Sequence, residues 1–458
     1  MPQETKGSGL MGKRDRFHIK ESEFFTTEGS SKREGGIPIP EHEFGLLEDF
    51  VYENPLSSLP GQPDYMLRPS GEGKERILTA DGFAGAVVLK DGTQFEILPN
   101  LSVISKDGTR LSEKHMLLEM IQSVKSFPLG NYNINTMAAE KLNIFETFVL
   151  SFVNSCMLII NNGLKQAYVP FLNNENFLKG KVDYAKHATK NFAHKDKFYV
   201  IYDVFTINRA ENRLIKSTLK YLRGITCSAR TRNKIDIALA NFDGVDYSTN
   251  YMQDFSASVL DRSMLAYVDA MTWAKVFLLK KSTVAIATGR NVIYSVMLPT
   301  EQLFDCYIAK KLGDVTDKRY FSIEMQHKIY PVLNRRIPNV EQKPGMFLTR
   351  KEDRHRVIID AKWQGLDENQ VNYGIRDIDI YNAYNMQEKY NASTVYYLYP
   401  LTEKIRGREP NIVFRDGDNI LGRVCFLDMS HIEDSLSDVL DQIYNDETQG
   451  NGAKFEAG

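Results

Sequence analysis

The chain has 458 residues, 42% of them hydrophobic, and a formal net charge of −2 at pH 7. This length suits about three domains, and the hydrophobic fraction is enough for ordinary cores. Because the charge is close to zero, the sequence lacks the basic excess of a protein that binds nucleic acid over its whole surface. Contact with DNA must therefore depend on local basic patches or on a partner.

The cysteines and the apolar segments exclude further classes of protein. The four cysteines lie far apart with no Cys-x-x-Cys pair, at Cys156, Cys227, Cys306 and Cys425. This spacing argues against a zinc site or a disulfide framework and suits a reducing cytoplasm. The first residues are polar and do not resemble a signal peptide. The most apolar window, residues 145–160, contains several polar residues, and we expect it to be too short and too polar to span a bilayer.

The N-terminal third is predicted to be polar at first and then rich in β-structure. Residues 1–40 contain polar segments such as EGSSKREGG, and we predict a mostly flexible extension. Residues 76–112 contain two Lys-Asp-Gly turns, at 90–92 and 106–108. Asp-Gly between β-rich runs is a strong hairpin signal. We therefore predict a small β-barrel-like domain over residues 41–125, with a packing or docking role.

Residues 126–285 are predicted to form a helical middle region. Apolar residues recur there at helical spacing. They include Phe145, Phe148, Val149 and Phe152, then Leu214, Leu219 and Leu222, then Met264, Val268, Met271 and Val276. Arg230, Arg232 and Lys234 form a small basic cluster that could contact phosphates. A solvated helix face is the simpler interpretation of this cluster.

Residues 343–363, KPGMFLTRKEDRHRVIIDAKW, predict two short strands joined by a polar turn. Because side chains alternate along a strand, Asp360 and Lys362 point the same way. A carboxylate and an ammonium at the end of an apolar strand are costly to bury. Metal-assisted phosphodiester cleavage is one reason to bury them, with the carboxylate holding Mg²⁺ and the lysine stabilising the attacking water or the phosphate charge. The alternative is an ordinary hairpin with a surface Asp–Lys pair.

A metal site of this kind needs a second carboxylate on the neighbouring strand. A turn centred between Glu352 and Asp353 places residue 345 across from Asp360. Residue 345 is a glycine, which has no side-chain oxygen. The predicted metal site therefore lacks a ligand at this position.

The rest of the C-terminal part predicts a mixed α/β domain over residues 286–446, followed by a polar tail over 447–458. An amphipathic helix begins near Thr300, and further helices are predicted at 377–390 and 431–444. Strands are predicted at 393–398 and 419–427. A hairpin, a crossover helix and a further strand is the order that a nuclease core requires. Arg335 and Arg336, before the hairpin, are further candidates for DNA contact.

Pro344 and Asp360-Ala361-Lys362 resemble the two halves of the PD-(D/E)xK nuclease motif, with Gly345 where the first Asp would be. Several ordered segments over residues 75–430 resemble the McrC family, the nuclease subunits of McrBC-type restriction systems, including LlaJI-like relatives. These segments are GFAGAVVLKDGTQFEILPN, GLKQAYVP, LKGKVDYAKH, YDVFTINRAENRLIKSTLKYL, LPTEQLFD and VIIDAKW.

The resemblance implies an α+β multidomain protein with a C-terminal PD-(D/E)xK domain that cleaves double-stranded DNA with Mg²⁺ in phage defence. It also implies a partner, an McrB-like AAA+ GTPase ring whose GTPase the N-terminal part stimulates. We assign residues 41–285 to ring binding and bridging. Pairing of two nuclease subunits would join two rings.

The family's functional residues carry over only in part. Asp360 and Lys362 match its catalytic pair. Glu301 and Asp305 lie on a helix that often contributes a further metal-binding acid. Asn382 stands where many relatives have a Gln, and either amide can orient a water. Gly345 departs from the pattern, so we expect weaker Mg²⁺ binding and an impaired nuclease.

Three explanations of Gly345 are open. It is an engineered substitution, or it marks a naturally degenerate site, or Glu341 takes its place. The intact remainder of the motif favours the first. Two other functions also stay open. One is a non-catalytic adaptor that activates an NTPase ring, and the other is a stand-alone DNA-repair nuclease.

Overall fold

The computed structural model of this protein describes residues 16–27, 36–55, 65–71, 75–89, 92–124, 127–129, 142–279, 292–317, 321–325, 345–352, 354–417 and 419–455. The chain forms two compact units. The first unit consists of Met1–Phe145 and Ser282–Gly458, and the second unit of Glu146–Lys281. The predicted mixed α and β character is confirmed, whereas the predicted domain boundaries stay predictions.

Strands and helices alternate along the described chain. The strands are β1 Arg16–Lys20, β2 Phe24–Thr27, β3 Gly36–Ile39, β4 Leu67–Ser70, β5 Ile77–Ala80, β6 Phe83–Leu89, β7 Gln94–Leu98, β8 Ala167–Glu175, β9 Lys181–Val182, β10 Phe198–Thr206, β11 Val292–Pro299, β12 Phe321–Met325, β13 Met346–Arg350, β14 Arg356–Ala361, β15 Val395–Pro400, β16 Val413–Asp416 and β17 Asn419–Leu427. The α-helices are α1 Glu41–Glu53, α2 Glu113–Ser123, α3 Ile144–Asn161, α4 Tyr184–Lys190, α5 Ala210–Ile225, α6 Ala229–Ala240, α7 Tyr251–Ala257, α8 Leu265–Leu279, α9 Thr300–Val315, α10 Asp377–Tyr390 and α11 Ile432–Phe455. Short 3₁₀ turns lie at Arg262–Met264, Val371–Gly374 and Met429–His431.

The N-terminal part of the first unit contains two four-stranded sheets, with the orders β1-β7-β6-β11 and β3-β2-β5-β4. One apolar cluster contains residues of both sheets and of α1, among them Ile19, Phe25, Phe44 and Phe95. The sequence predicts a small β-barrel-like domain here, and the described strands instead form two sheets that share one core. Strand β11 joins this part from far along the chain, since it pairs with β6.

The predicted flexible extension over residues 1–40 is wrong for its described part. Strand β1 pairs in parallel with β7, and β2 pairs with β3 and β5. Ile19, Phe25 and Ile39 are fully buried. These strands have only four or five residues each. Because they are so short, the polar residues around them hid their apolar positions from an average over the segment.

The C-terminal part of the first unit is built on a six-stranded sheet with the order β12-β13-β14-β15-β17-β16. Strand β14 is antiparallel to β13 and parallel to β15, and α10 connects the two parallel strands. Every residue of β15, VYYLYP, is buried, which is typical of a central parallel strand covered on both faces. The predicted order of hairpin, crossover helix and further strand is therefore present.

The second unit combines helices with a three-stranded sheet of order β8-β10-β9. The sequence predicts a mainly helical region here, and the sheet is an addition to it. Strand β10, FYVIYDVFT, is rich in aromatic and β-branched residues, which favour strands. That composition was the available signal. Both long strands expose many side chains, so they lack the clean alternation of a half-buried strand.

Among the described helices, one is long and apolar enough to cross a membrane by length and composition. This is α3, with 18 residues, and 67% of its apolar stretch is buried inside the protein. The expectation that it is too short is therefore wrong as to its length. Burial of this kind is also typical of a core helix in a soluble protein, so the helix is weak evidence for a membrane span.

Candidate active site

The β13–β14 hairpin positions the predicted pair in the predicted register. Met346 pairs with Ile359, and Phe347 pairs with Ile358. Continuing this register by one residue places Gly345 opposite Asp360. The hairpin by itself therefore provides one carboxylate at this end of the sheet.

Asp360 and Lys362 lie close together and are buried. Lys362 Nζ lies 3.0 Å from Asp360 Oδ2, 3.4 Å from Glu301 Oε1 and 3.7 Å from Asp379 Oδ1. Burial raises the pKa of Asp360 to about 6, against the opposing effect of the Lys362 ammonium. Burial lowers the pKa of Lys362, but the neighbouring carboxylates outweigh this effect and raise it above its usual range. The alternative of a surface Asp–Lys pair is excluded, because Asp360 is only 5% exposed.

Helix α9 brings both of its predicted carboxylates towards this pair. Glu301 contacts Lys362 from the first turn of the helix, and Asp305 is 3% exposed. A Cβ atom built on Gly345 would lie 2.7 Å from Asp305 Oδ1 and 3.3 Å from Asp305 Cγ. The Asp305 carboxylate therefore occupies the space into which a side chain at position 345 would project.

Asp379, in the first turn of α10, is a site residue that the sequence analysis missed. Its carboxylate accepts two hydrogen bonds from the Arg376 guanidinium, at 2.7 and 3.0 Å. The Tyr397 hydroxyl donates to the Asp379 carbonyl oxygen at 2.6 Å. The spacing Arg376-x-x-Asp379 was the available signal, but an acid in a first helical turn is common for electrostatic reasons alone. The predicted Asn382 lies further along the same helix and is buried.

Tyr399 adds a hydroxyl to this region. The Lys362 amide donates to the Leu398 carbonyl oxygen at 2.9 Å, so Tyr399 follows directly beside Lys362 on the neighbouring strand. Tyr399 is fully buried, and its hydroxyl has no hydrogen-bond partner among the residues that the structure describes. Burial raises the pKa of Tyr399, with further effects from Asp379, Lys362 and Asp360. A buried hydroxyl of this kind is typical of a place that water or a ligand fills. We refer to Asp360, Lys362, Asp305, Glu301 and Asp379 as the charged cluster.

Residues 78–400 match the family model of the McrBC 5-methylcytosine restriction system component. This chain belongs to that McrBC family. No protein of curated function matches it.

The fold of this McrBC-family chain is similar to two solved structures. The first is a refined half-complex from a tetradecameric assembly of Thermococcus gammatolerans McrB AAA+ hexamers with bound McrC. Its TM-score is 0.67 at 14% identity, over 93% of this chain and 100% of that chain. The second is a cryo-EM structure of the T. gammatolerans McrBC complex, with a TM-score of 0.46 at 14% identity, over 66% of this chain and 88% of that chain. At this identity, the first similarity concerns the fold.

The donor set of this McrBC-family chain fits the predicted cofactor, Mg²⁺. Magnesium is usually bound through one or two carboxylates and keeps several waters. Asp360 and Asp305 are two such carboxylates, and Gly345 leaves open the space that the second one fills. Within the described ranges, no three or more His, Cys, Asp or Glu side chains form a complete metal cage. That agrees with a site that leaves positions for water and a substrate phosphate.

The predicted DNA-contacting residues of the chain are not brought to the charged cluster by any described contact. Arg230 is exposed on α6, and Lys234 is half-buried on the same helix. Arg232 donates to the carbonyl oxygen of Thr226, directly after α5, at 2.8 Å, so it has a structural contact of its own. Arg335, Arg336 and Glu341 lie outside the described residues. Contact of these basic residues with DNA stays a prediction.

Proposed function

We propose that this chain is the endonuclease subunit of a GTP-dependent restriction complex and cleaves double-stranded DNA with Mg²⁺. The observation that carries the proposal is the buried Asp360–Lys362 pair, with the Asp305 carboxylate near it. Burying ionisable groups together is costly and is most common at functional sites. Membership of the McrBC family supports restriction as the biological setting, and a cytoplasmic location would follow from it.

In this proposal Asp360 and Asp305 hold Mg²⁺. When bound, the ion would activate a water and stabilise the charge of the phosphodiester transition state. Lys362 keeps its proton at neutral pH, because the surrounding carboxylates raise its pKa. It therefore acts as a hydrogen-bond donor to the attacking water or to the phosphate, rather than as a base. Asp379, itself held by Arg376, limits the motion of the lysine from the other side.

We also infer a protein partner. The similar solved structures are assemblies of McrB AAA+ hexamers with bound McrC, and a ring of this kind is the partner that we propose for this chain. Residues 41–285 would carry ring binding and stimulate the GTPase, and two nuclease subunits would pair to cut both strands. The turn at 106–108, one candidate contact, is held in place, since Ser105 Oγ and the Lys106 amide each donate to Asp428 Oδ2 at 2.8 Å.

The experiment that tests the function is plasmid cleavage with the cognate McrB-like GTPase, GTP and Mg²⁺. Asp360→Asn and Lys362→Met should each lower the cleavage rate by at least about 100-fold, while stimulation of GTP hydrolysis stays unchanged. Asp416→Asn is the matched control, because Asp416 is an exposed carboxylate on the same sheet. Wild-type cleavage by Asp360→Asn would contradict the proposal.

Gly345 favours a second candidate, a non-catalytic adaptor that activates the ring with a vestigial nuclease fold. It predicts stimulation of GTP hydrolysis without cleavage, and no divalent-ion binding that depends on Asp360. If Gly345 is instead a disabling substitution, Gly345→Asp should restore cleavage.

A further inference from the structure

Position 345 is where the hairpin register calls for a second metal-binding group. It lies opposite Asp360 and has no side chain. Oppositely placed side chains of antiparallel strands have Cβ atoms about 5 Å apart. A carboxylate at this position would therefore face Asp360 across a distance that a metal ion can bridge. With glycine here, a divalent site needs its second carboxylate from elsewhere.

The structure brings one from α9. Asp305 Oδ1 would lie only 2.7 Å from a Cβ atom at position 345, which is closer than real Cβ contacts come. The same Cβ would lie 3.2 Å from the Ile359 carbonyl oxygen. The Asp305 carboxylate and a side chain at 345 therefore compete for one space. Its electrostatic effect reaches Asp360, since Asp305 is among the groups that act on the Asp360 carboxyl.

The burial of Asp305 is unusual for its helix. The buried face of α9 is otherwise made mainly of apolar side chains, such as Leu303, Phe304 and Ile308. Asp305 lies on this face at 3% exposure. Burying a carboxylate there costs free energy unless another group compensates its charge. A bound cation would compensate it.

An independent observation points to a ligand at the same place. The Tyr399 hydroxyl is fully buried beside Lys362 and has no hydrogen-bond partner within the described part of the chain. Buried polar groups in folded proteins nearly always have a partner, whether protein, ordered water or ion. A hydrated metal ion held by Asp360 and Asp305 would bring water molecules to this hydroxyl.

We propose that Asp305 supplies the second metal-binding carboxylate opposite Asp360, and that Gly345 provides the room that this carboxylate needs. The site is then complete, with one ligand moved from the hairpin to the helix. This inference rests on the proposed function only for the identity of the ion as a cofactor of cleavage.

The test measures divalent-ion binding by the full chain without partner, nucleotide or DNA. Mn²⁺ is the probe, because it accepts the same oxygen ligands as Mg²⁺ and the free ion can be followed by electron paramagnetic resonance. The variants are Asp305→Asn, Gly345→Asp and the exchange variant Gly345→Asp/Asp305→Ala. Asp314→Asn is the matched control, since Asp314 lies exposed on the same helix.

We expect Asp305→Asn to weaken Mn²⁺ binding by at least about tenfold and Asp314→Asn to leave it unchanged. Gly345→Asp alone should bind no more tightly than the wild type and should unfold at lower temperature without metal, because two carboxylates then share one space. The exchange variant should regain binding and thermal stability, which a merely structural role for Asp305 does not predict. Should Gly345→Asp fail to fold, the exchange variant still decides.

Two results would overturn the inference: unchanged Mn²⁺ binding in Asp305→Asn, or tighter binding in Gly345→Asp alone. Absence of Mn²⁺ binding by the wild-type chain would overturn it as well. Binding that depends on Asp305 and Asp360, in a chain that never cleaves DNA with its partner, would support the site while contradicting the proposed nuclease.

Discussion

Two buried carboxylates, one in each unit, show how differently the same group is used. In the second unit, Glu146 is fully buried and accepts hydrogen bonds from Thr226 Oγ1 at 2.6 Å and from the amides of Cys227 and Ser228 at 2.6 and 3.2 Å. These donors lie at the start of α6, where a helix favours a negative charge. In the first unit, Asp360 is paired with Lys362 and faces further carboxylates.

The difference separates a structural acid from a functional one. The donors around Glu146 replace the hydrogen bonds that water would make, so the glutamate connects α3 to the segment between α5 and α6. The surroundings of Asp360 add negative charge to a buried negative group, which raises its pKa. An arrangement that opposes ionisation is unfavourable for the empty fold and favourable for a cation. The comparison predicts opposite responses to substitution.

The largest effect on stability is expected at Glu146. Glu146→Ala leaves two amides and a hydroxyl buried without their acceptor, and each such group costs about 1–3 kcal/mol. We expect the free energy of unfolding to fall by about 4 kcal/mol. Urea denaturation measures this change. Mn²⁺ binding should stay at the wild-type level if the variant is folded at low urea, and a change below about 1 kcal/mol would remove the contrast.

The second effect is a pH dependence that belongs to Asp360. Its pKa is raised from 3.8 to about 6 by folding, so the folded chain holds this proton more tightly than the unfolded chain. The stabilisation is therefore present below about pH 4 and is lost as the pH rises towards 6, on the order of 3 kcal/mol in total. Asp360→Asn removes this dependence. In EDTA, the variant should gain stability relative to the wild type between pH 4 and 6, whereas parallel curves would show that Asp360 is not perturbed.

The third effect concerns how Lys362 is held. Arg376→Gln removes the two hydrogen bonds that orient the Asp379 carboxylate. We expect cleavage to fall by about tenfold, equivalent to roughly 1.4 kcal/mol, with little change in Mn²⁺ binding. Arg408→Gln is the control, because Arg408 forms an exposed ion pair with Glu368 in the same unit. Equal cleavage by the two variants would mean that Asp379 does not position the lysine.

The smallest effect is expected from an exposed ion pair in the second unit. Arg223 and Asp236 join α5 and α6 at the surface, with side chains 52% and 42% exposed. Arg223→Ala should change the free energy of unfolding by less than about 1 kcal/mol, since solvent screens exposed pairs. Thermal unfolding checks this. A loss as large as that of Glu146→Ala would show that hydrogen bonding and burial do not explain the contrast.

The part of the fold that sequence reasoning recovered is the part governed by local rules. The polar turn and the two apolar arms determine the hairpin register, so the positions of Asp360, Lys362 and Gly345 relative to one another were predictable. The crossover helix and the strand after it follow from helical and apolar patterns of ordinary length. The N-terminal strands and the three-stranded sheet were missed, because their residues are few or largely exposed.

The candidate site was predictable only as far as the hairpin reaches. Glu301 and Asp305 were named from a resemblance, but no local pattern shows that the Asp305 carboxylate fills the space at position 345. Asp379 and Tyr399 lie on α10 and β15, and their relation to Lys362 depends on how these elements pack on β14.

The sequence by itself determined one strand end with a carboxylate and a lysine on the same face, and a glycine opposite. These features depend on chain neighbours and on the two-residue period of a strand, which act over a few residues. The tertiary structure alone decided that a helix far away in the chain brings its carboxylate to that glycine. Packing of this kind is set by the complementary shapes of whole elements.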